Sequence, residues 1–363
     1  MLQLGIIGLP LSGKTTVFNA LSGSQASVGD YSTSKGANIA IVKVPDRRLQ
    51  RLAEIFQPKK ISHAEIEYID IAGLTRDASS DRKKEAAYVH QIRQTDALLQ
   101  VVRCFENPNV PHPDGSIDAK RDISEVDTEL MLADLVLVEN RLSKLAHLLK
   151  VAHKDQDEAQ QVVLEKCRAA LEQGTPLRAL DFSESDKKLL AGYRFLTQKP
   201  MLYILNLDEK QCADYDRWEK EFSFVLSTPR SSLAHICALL QMDIAALENA
   251  EKSEFMKELG IDELASDALI KKSFALLGLI AFLTGAAAEV HSWPVARGTN
   301  AYQAAGQVHS DMQKGFIKAE VVTFDDLDRL GSWAHARDAG KLHIHGKDYV
   351  VQDGDVILFR FNV

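Results

Sequence analysis

A short run near the start of the chain carries the clearest chemistry. Gly8-Leu9-Pro10-Leu11-Ser12-Gly13-Lys14-Thr15 has the order GxxxxGK[ST], and Thr16 follows. In that order, glycines let backbone N–H groups turn inward around a β-phosphate. The lysine ammonium reaches the β and γ oxygens, and the last hydroxyl is a ligand for Mg2+. Leu9, Pro10, Leu11, Ser12, Gly13, Lys14, Thr15 and Thr16 are therefore the expected phosphate-binding residues. The apolar run "LQLGIIG" before them reads as a buried strand, and "TTVFNALSG" after them has helical spacing. A helix that starts there points its positive dipole end at the phosphates.

A second element, "YIDIAGL", places Asp70 at the end of an apolar strand and Gly73 three residues on. A carboxylate there holds Mg2+ through water, and the glycine N–H senses a γ-phosphate. Lys14, Asp70 and Gly73 are the expected catalytic groups, with Thr15 and Asp70 on the metal. The base-reading element should follow a later strand. "MLYILN" runs into Asn206-Leu207-Asp208-Glu209, where GTPases commonly have Asn-Lys-x-Asp. The lysine is missing and a glutamate stands last, which weakens the case for guanine.

With these residues in place, the chain resembles the YchF/Obg-like ATPase family over nearly its whole length. The resemblance is carried by "GLPLSGKTT", "YIDIAGL", "VVRCFENPNV", "KPMLYILNLDE" and "EFMKELG". It continues through "AAGQVHSDMQKGFIKAEVVTFDDL" and "AGKLHIHGKDYVVQDGDVILFRFNV". It implies an α/β nucleotide domain, an inserted helical hairpin and a terminal TGS-type β-grasp domain. It also implies ATP preference through Asn206 and Glu209, with Leu207 between them and Cys237-Ala238 backing the base. Association with ribosomes or translation factors, and a link to stress, are implied in the same way.

The chain departs from that family where hydrolysis is organised. Leu11 and Ser12 replace the usual Asn-Val of the phosphate loop. The first switch reads "YSTSKGAN", with Thr33 or Ser34 as the hydroxyl offered to Mg2+, and the second reads "GLTRDASSDRKKEAA". The position after DxxG, where Ras-like enzymes carry a water-orienting glutamine, is Leu74, which has no donor or acceptor; the resemblance implies this, since the family lacks that glutamine, and another group must then act. Lys35, Arg76, Arg82, Lys83 and Lys84 are the cations near enough in sequence to neutralise a γ-phosphate; each reads more simply as solvated surface charge. Slow turnover is expected, roughly 10⁻⁴ to 10⁻² s⁻¹ as for unassisted GTPases. The alternatives are a nucleotide-binding protein that hardly hydrolyses, and a GTPase that accepts guanine through NxxE.

The elements that position these residues alternate strand and helix, as in a doubly wound α/β P-loop fold. The alternation breaks between Asp127 and Gln198. There Met131, Leu135, Val138, Leu142, Leu145, Leu149 and Ala152 form an a/d seam on one long helix. A second helical pattern through Val163, Cys167 and Ala170 predicts an antiparallel hairpin. Later, "AEVVTFDDL", "KLHIHG" and "KDYVVQDGDVILFRFNV" alternate with period two, as in a small β-rich domain. The expected division is 1–126 with 199–280 for the nucleotide, 127–198 for the hairpin, and 281–363 for the β-grasp domain.

Bulk properties narrow the classes. The 363 residues carry a formal charge of −8, so a generally basic nucleic-acid binder is not expected. Residues 291–363 hold eight Lys/Arg against nine Asp/Glu, so charge gives no support for RNA binding there. The four cysteines have no CxxC spacing, which argues against a zinc knuckle or disulfide framework and for a reducing compartment. No signal peptide and no membrane-spanning run is evident, so a cytoplasmic location is expected. His343 and His345 share one side of a strand and read as a solvated face rather than a metal pair. Trp293, Tyr302 and Trp333 read as packing residues. Nothing in the sequence indicates an oligomeric state.

Overall fold

The computed structural model describes residues 2–23, 38–71, 82–151, 154–247, 249–258 and 263–362. The chain forms two compact units. One is Leu2–Ala40 with Glu67–Lys272, and the other is Ile41–Ile66 with Ser273–Val363.

The first unit is built on β1 (Gln3–Ile7), β4 (Glu65–Asp70), β5 (Ala97–Arg103), β6 (Met201–Asn206) and β7 (Ser231–Ile236), with β2 (Asn38–Lys43) beside β4. The order is β2-β4-β1-β5-β6-β7, and the pairs from β4 to β7 are parallel. β5 (ALLQVVR) and β6 (MLYILN) are buried at every position. That is the continuous apolar run a parallel strand needs when both faces are covered. From β1 the chain builds first toward β4 and then returns to β5 on the other side. The carboxyl end of β1 therefore lies at a topological switch point, where such sheets bind ligands.

Around this sheet run α1 (Lys14–Ser22), α3 (Arg82–Gln94), α4 (Ala119–Val151), α5 (Asp155–Glu172), α6 (Glu184–Leu190), α7 (Glu209–Cys212), α8 (Tyr215–Glu221) and α9 (Ala238–Ala246). α4 begins well before Asp127. Ala119, Ile123, Val126 and Leu130 belong to the core of the sheet, together with Val102, Leu196 and Leu205. Farther along, Val138, Leu142 and Leu145 pack against Val163, Leu164, Cys167, Ala170 and Leu171 of α5.

The buried stripe of α4 is offset by one residue from the expected seam over its first turns. Leu130 and Asp134 are buried, while Met131 and Leu135 are half-buried. The reason is the Asp134 carboxylate. It accepts hydrogen bonds from Leu196 N (3.0 Å), Thr197 N (2.8 Å), Thr197 Oγ1 (2.9 Å) and Arg93 Nη1 (2.9 Å). Ala152 lies outside the described residues.

The second unit holds β3 (Lys60–Ser62), β8 (Leu279–Gly285), β9 (Glu289–Ala296), β10 (Phe316–Thr323), β11 (His343–His345) and β12 (Asp355–Phe361), in the order β11-β10-β12-β8-β9-β3. β12 with β8 and β3 with β9 are parallel; the other pairs are antiparallel. The helix Ala301–Val308 packs Ala301, Ala304 and Ala305 on Ile280, Phe282 and Phe359, with Trp293 and Tyr302 against the same cluster. Another cluster joins Leu49 and Leu52 of α2 (Arg47–Phe56) to Leu283, Val290 and Val322, with Trp333 against it. Residues 41–66 thus pack with the C-terminal strands. No described helix is long and apolar enough to cross a membrane.

Candidate nucleotide-binding site

The phosphate loop leaves β1 through Gly8, at φ 143°, and enters α1 through Gly13, at φ 92°. Both positions need glycine on steric grounds as well. A Cβ at Gly8 would lie 2.4 Å from the Val101 carbonyl oxygen, and one at Gly13 would lie 2.3 Å from Asn206 Nδ2. Leu11 also sits in the left-handed region, at φ 61°, without a glycine's freedom. Lys14 curls back over the loop. Its Nζ donates to the carbonyls of Gly8 (3.1 Å) and Leu9 (2.8 Å). Burial pulls its pKa down to about 8, against the opposing pull of Asp70. An anion among these groups would favour the charged ammonium.

Next to the loop, Thr15 Oγ1 donates to Asp70 Oδ2 at 2.9 Å, and Asn38 Nδ2 approaches the same oxygen at 3.4 Å. A hydroxyl and a carboxylate in contact are hard oxygen donors, the set suited to a divalent cation such as Mg2+. Gly73 and Ser34 lie outside the described residues, as do Thr33, Lys35, Leu74 and Arg76. Arg82, Lys83 and Lys84 fall in the first turn of α3, where side chains are not described.

At the other end Asn206 closes β6. Its Nδ2 donates to Ser12 O (3.1 Å), and its Oδ1 accepts from Ala238 N (3.2 Å). Both ends of the amide are thus engaged within the protein, tying the phosphate loop to the turn that enters α9. Asp208 is also engaged. It caps α7 by accepting from Gln211 N, and Gln211 Nε2 in turn donates to Cys104 O, both at 2.9 Å. Glu209, the first residue of α7, is exposed on the wall of the cavity described next.

A cavity of about 690 Å³ runs between these two ends. Leu11, Gly13, Lys14, Thr15 and Thr16 line one side, and Asn206, Leu207, Glu209 and Cys237 line the other. Leu9, Pro10 and Ser12 lie behind the loop instead, facing Gln100, Arg103, His112 and Asp122. Ser12 Oγ is buried there with no hydrogen-bond partner. Ala238 faces the cavity's lining through its backbone, as the donor to Asn206.

Sequence reasoning assigned no role to Phe105, Glu106, Asn107 and Val110, which form a third wall. Arg103 holds this segment. Its guanidinium lies 4.7 Å over the Phe105 ring, and Nη2 donates to Val110 O at 2.7 Å. The signal that finds them is position: they follow the carboxyl end of β5, next to β1 in the sheet.

Among the described residues, one group of side chains has metal-ligand proximity: His112, Asp114 and Asp122. His112 Nδ1 accepts from Asp114 N (3.2 Å), so Nε2 carries the proton and donates to Asp122 Oδ2 (2.9 Å). Arg121 already pairs with the other Asp122 oxygen at 2.8 Å. The group is a satisfied ion-pair network, and a metal would have to displace two partners. In the second unit, His343 and His345 lie with ring centroids 6.3 Å apart, and His345 stacks on Tyr349 at 4.0 Å.

Residues 3–141 match the family model described as 50S ribosome-binding GTPase, and residues 279–362 match that of the YchF-GTPase C-terminal domain, a protein of unknown function. The chain is 40% identical over 366 residues to the Ribosome-binding ATPase YchF of Bacillus subtilis, covering 100% of both. It is 39% identical to the protein of the same name from Escherichia coli O157:H7, covering 99% of each. The solved structure of the Schizosaccharomyces pombe YchF GTPase superposes with a TM-score of 0.82 at 30% identity. That match covers 99% of this chain and 97% of the other.

Proposed function

The chain belongs to the YchF family, and from that premise we propose that it is a Mg2+-dependent ATPase of slow turnover that associates with the ribosome. The observation that carries the reading is the cavity itself. It runs from Lys14 and Thr15, whose hydroxyl contacts Asp70, to Glu209 and Cys237, which supports a reading with phosphates at one end and the base at the other. Thr15 and Asp70 would hold the metal, which supplies charge neutralisation between phosphate oxygens. Lys14 holds the phosphate tail. The base preference follows from what is left to read it. Asn206 is committed to Ser12 and Ala238, so Glu209 is the carboxylate on that wall whose side chain is not used as a helix cap. On its longer stem this carboxylate can accept from the exocyclic amino group of adenine. The usual aspartate accepts two guanine donors from a shorter stem, a placement that the glutamate does not reproduce.

Calorimetric titration with ATP, GTP and a non-hydrolysable ATP analogue, alongside phosphate release, tests this. ATP should bind more tightly than GTP, and release should be slow and absent in Lys14→Ala. Tighter GTP binding would overturn the base assignment, and Glu209→Asp should then strengthen it further. Binding without Lys14-dependent release would favour a nucleotide-binding protein that does not turn over, the reading to which the altered switch sequences point. For the ribosome, co-sedimentation of the full chain with purified bacterial ribosomes should depend on nucleotide. Its absence in every nucleotide state would sink that part.

A further inference from the structure

Two walls of the cavity's base end leave neighbouring strands. β5 and β6 pair as far as Arg103 opposite Asn206, and Cys104 N then donates to Asn206 O at 3.0 Å. Past that bond the two segments line different walls. β5 leads into Phe105, Glu106, Asn107 and Val110, and β6 leads into Glu209 at the start of α7. One side chain bridges the two exits. Gln211 Nε2 donates to Cys104 O at 2.9 Å, so the N–H and the carbonyl of Cys104 are both held by the 206–211 turn. We propose that Gln211 is a positioning residue: its amide sets the gap between the Phe105 wall and Glu209, and through that gap the affinity for the base. The proposal rests on the nucleotide reading given above, in which the base lies between those walls.

Gln211 is half-buried and is not one of the described residues that line the cavity, so it acts through its neighbours. Its amide is engaged at both ends. Oε1 accepts from Asp208 N, and Gln211 N donates to Asp208 Oδ1, both at 2.9 Å. This reciprocal capping box fixes the side chain to the turn that carries Glu209. Nε2 then ties that turn to the β5 exit.

The opposite wall responds as one piece because Arg103 braces it. Nε donates to Phe105 O at 3.3 Å and Nη2 to Val110 O at 2.7 Å, with the guanidinium 4.7 Å over the Phe105 ring. A shift at Cys104 therefore carries Phe105 and Val110 with it. The phosphate end has separate ties, through Lys14 to Gly8 O and Leu9 O and through Asn206 to Ser12 O. A change in the gap thus reaches the base before it reaches the phosphates.

Two substitutions isolate the bridge. Gln211→Glu keeps an acceptor for Asp208 N, as capping boxes favour, but has no donor for Cys104 O and turns a carboxylate oxygen toward it. Gln211→Met removes donor and acceptor at similar volume and adds no charge. Both should let the walls part.

Calorimetric titration of the full chain and of both variants with ATP, GTP and inorganic tripolyphosphate, each with Mg2+, reads the gap. In both variants ATP affinity should fall about threefold to tenfold, the fold-change of one net hydrogen bond. The ratio of ATP to GTP affinity should move toward one, and tripolyphosphate should bind as it does to the parent. Equal losses for ATP and tripolyphosphate would show that the residue only supports the fold, and would overturn the proposal. Unchanged ATP affinity in Gln211→Glu also overturns it, and so does a loss in Gln211→Glu that Gln211→Met does not share, since added charge then explains it. A parent chain that binds ATP no more tightly than tripolyphosphate defeats the nucleotide reading itself, and the proposal falls with it.

Discussion

Replacing Asn206 by alanine separates a brace from a base reader. The amide makes two buried bonds, one to Ser12 O and one from Ala238 N, and both partners belong to residues at most 2% exposed. Alanine leaves each without a mate. An unpaired buried backbone group costs about 1–3 kcal/mol. The cavity beside Gly13 admits water and softens the loss at Ser12, so about 2–4 kcal/mol is expected for the pair. For a unit of this size that lowers Tm by roughly 5–15 °C. Because the lost bonds hold the phosphate loop against the α9 turn, affinity for ATP and for GTP should fall together by similar factors. Thermal unfolding with titration of both nucleotides reads the two effects on one sample. An unchanged Tm with loss confined to ATP would put the amide on the base and refute the brace.

Other consequences can be checked with equal directness. Leu11→Asn keeps a side chain in the cavity wall but relieves a left-handed leucine, so stability should rise by about 1 kcal/mol, read as a higher unfolding midpoint in urea. A drop would mean that the loop does not hold φ 61° in solution. ATP should favour the protonated form of Lys14, whose pKa in the free protein is near 8. Affinity should therefore be flat below that pH and decline above it, with proton uptake on binding visible as a dependence of calorimetric heat on the buffer. The same group has a folded pKa below its unfolded value of 10.5. The unfolded chain binds more protons between those values, so wild-type stability should rise with pH in that window relative to Lys14→Met; parallel pH profiles would contradict it. Asp134→Ala leaves the backbone N–H groups of Leu196 and Thr197 without their acceptor and takes the anionic partner from Arg93, which keeps its bonds to Ala133 O and Arg194 O, and should cost about 3–5 kcal/mol. A cost below about 1 kcal/mol would show that the carboxylate is not ordering α4 against α3.

The phosphate loop was legible in the sequence because its chemistry is made by the backbone. Gly8 and Gly13 stand where a Cβ would collide with Val101 and Asn206, and those constraints leave glycine at fixed spacing. The buried strands were legible for a similar reason, since a run such as MLYILN has no polar side to show water. What spacing does not encode is the direction in which a polar side chain spends its hydrogen bonds. Asn206 stands in the base-reading motif yet turns both ends of its amide inward. Asp134 looks like a solvent position on a helix, yet four donors, contributed by Arg93, Leu196 and Thr197, draw it into the core and shift the buried stripe by one residue. Residues 41–66 follow the same logic at larger scale. α2 has one strongly apolar face, and nothing local says that Leu49 and Leu52 meet Leu283 and Val290 from the far end of the chain. In each case the missing information is a partner supplied by the sheet order. Residues on adjoining strand ends are therefore where a linear reading of this family leaves the most chemistry unassigned.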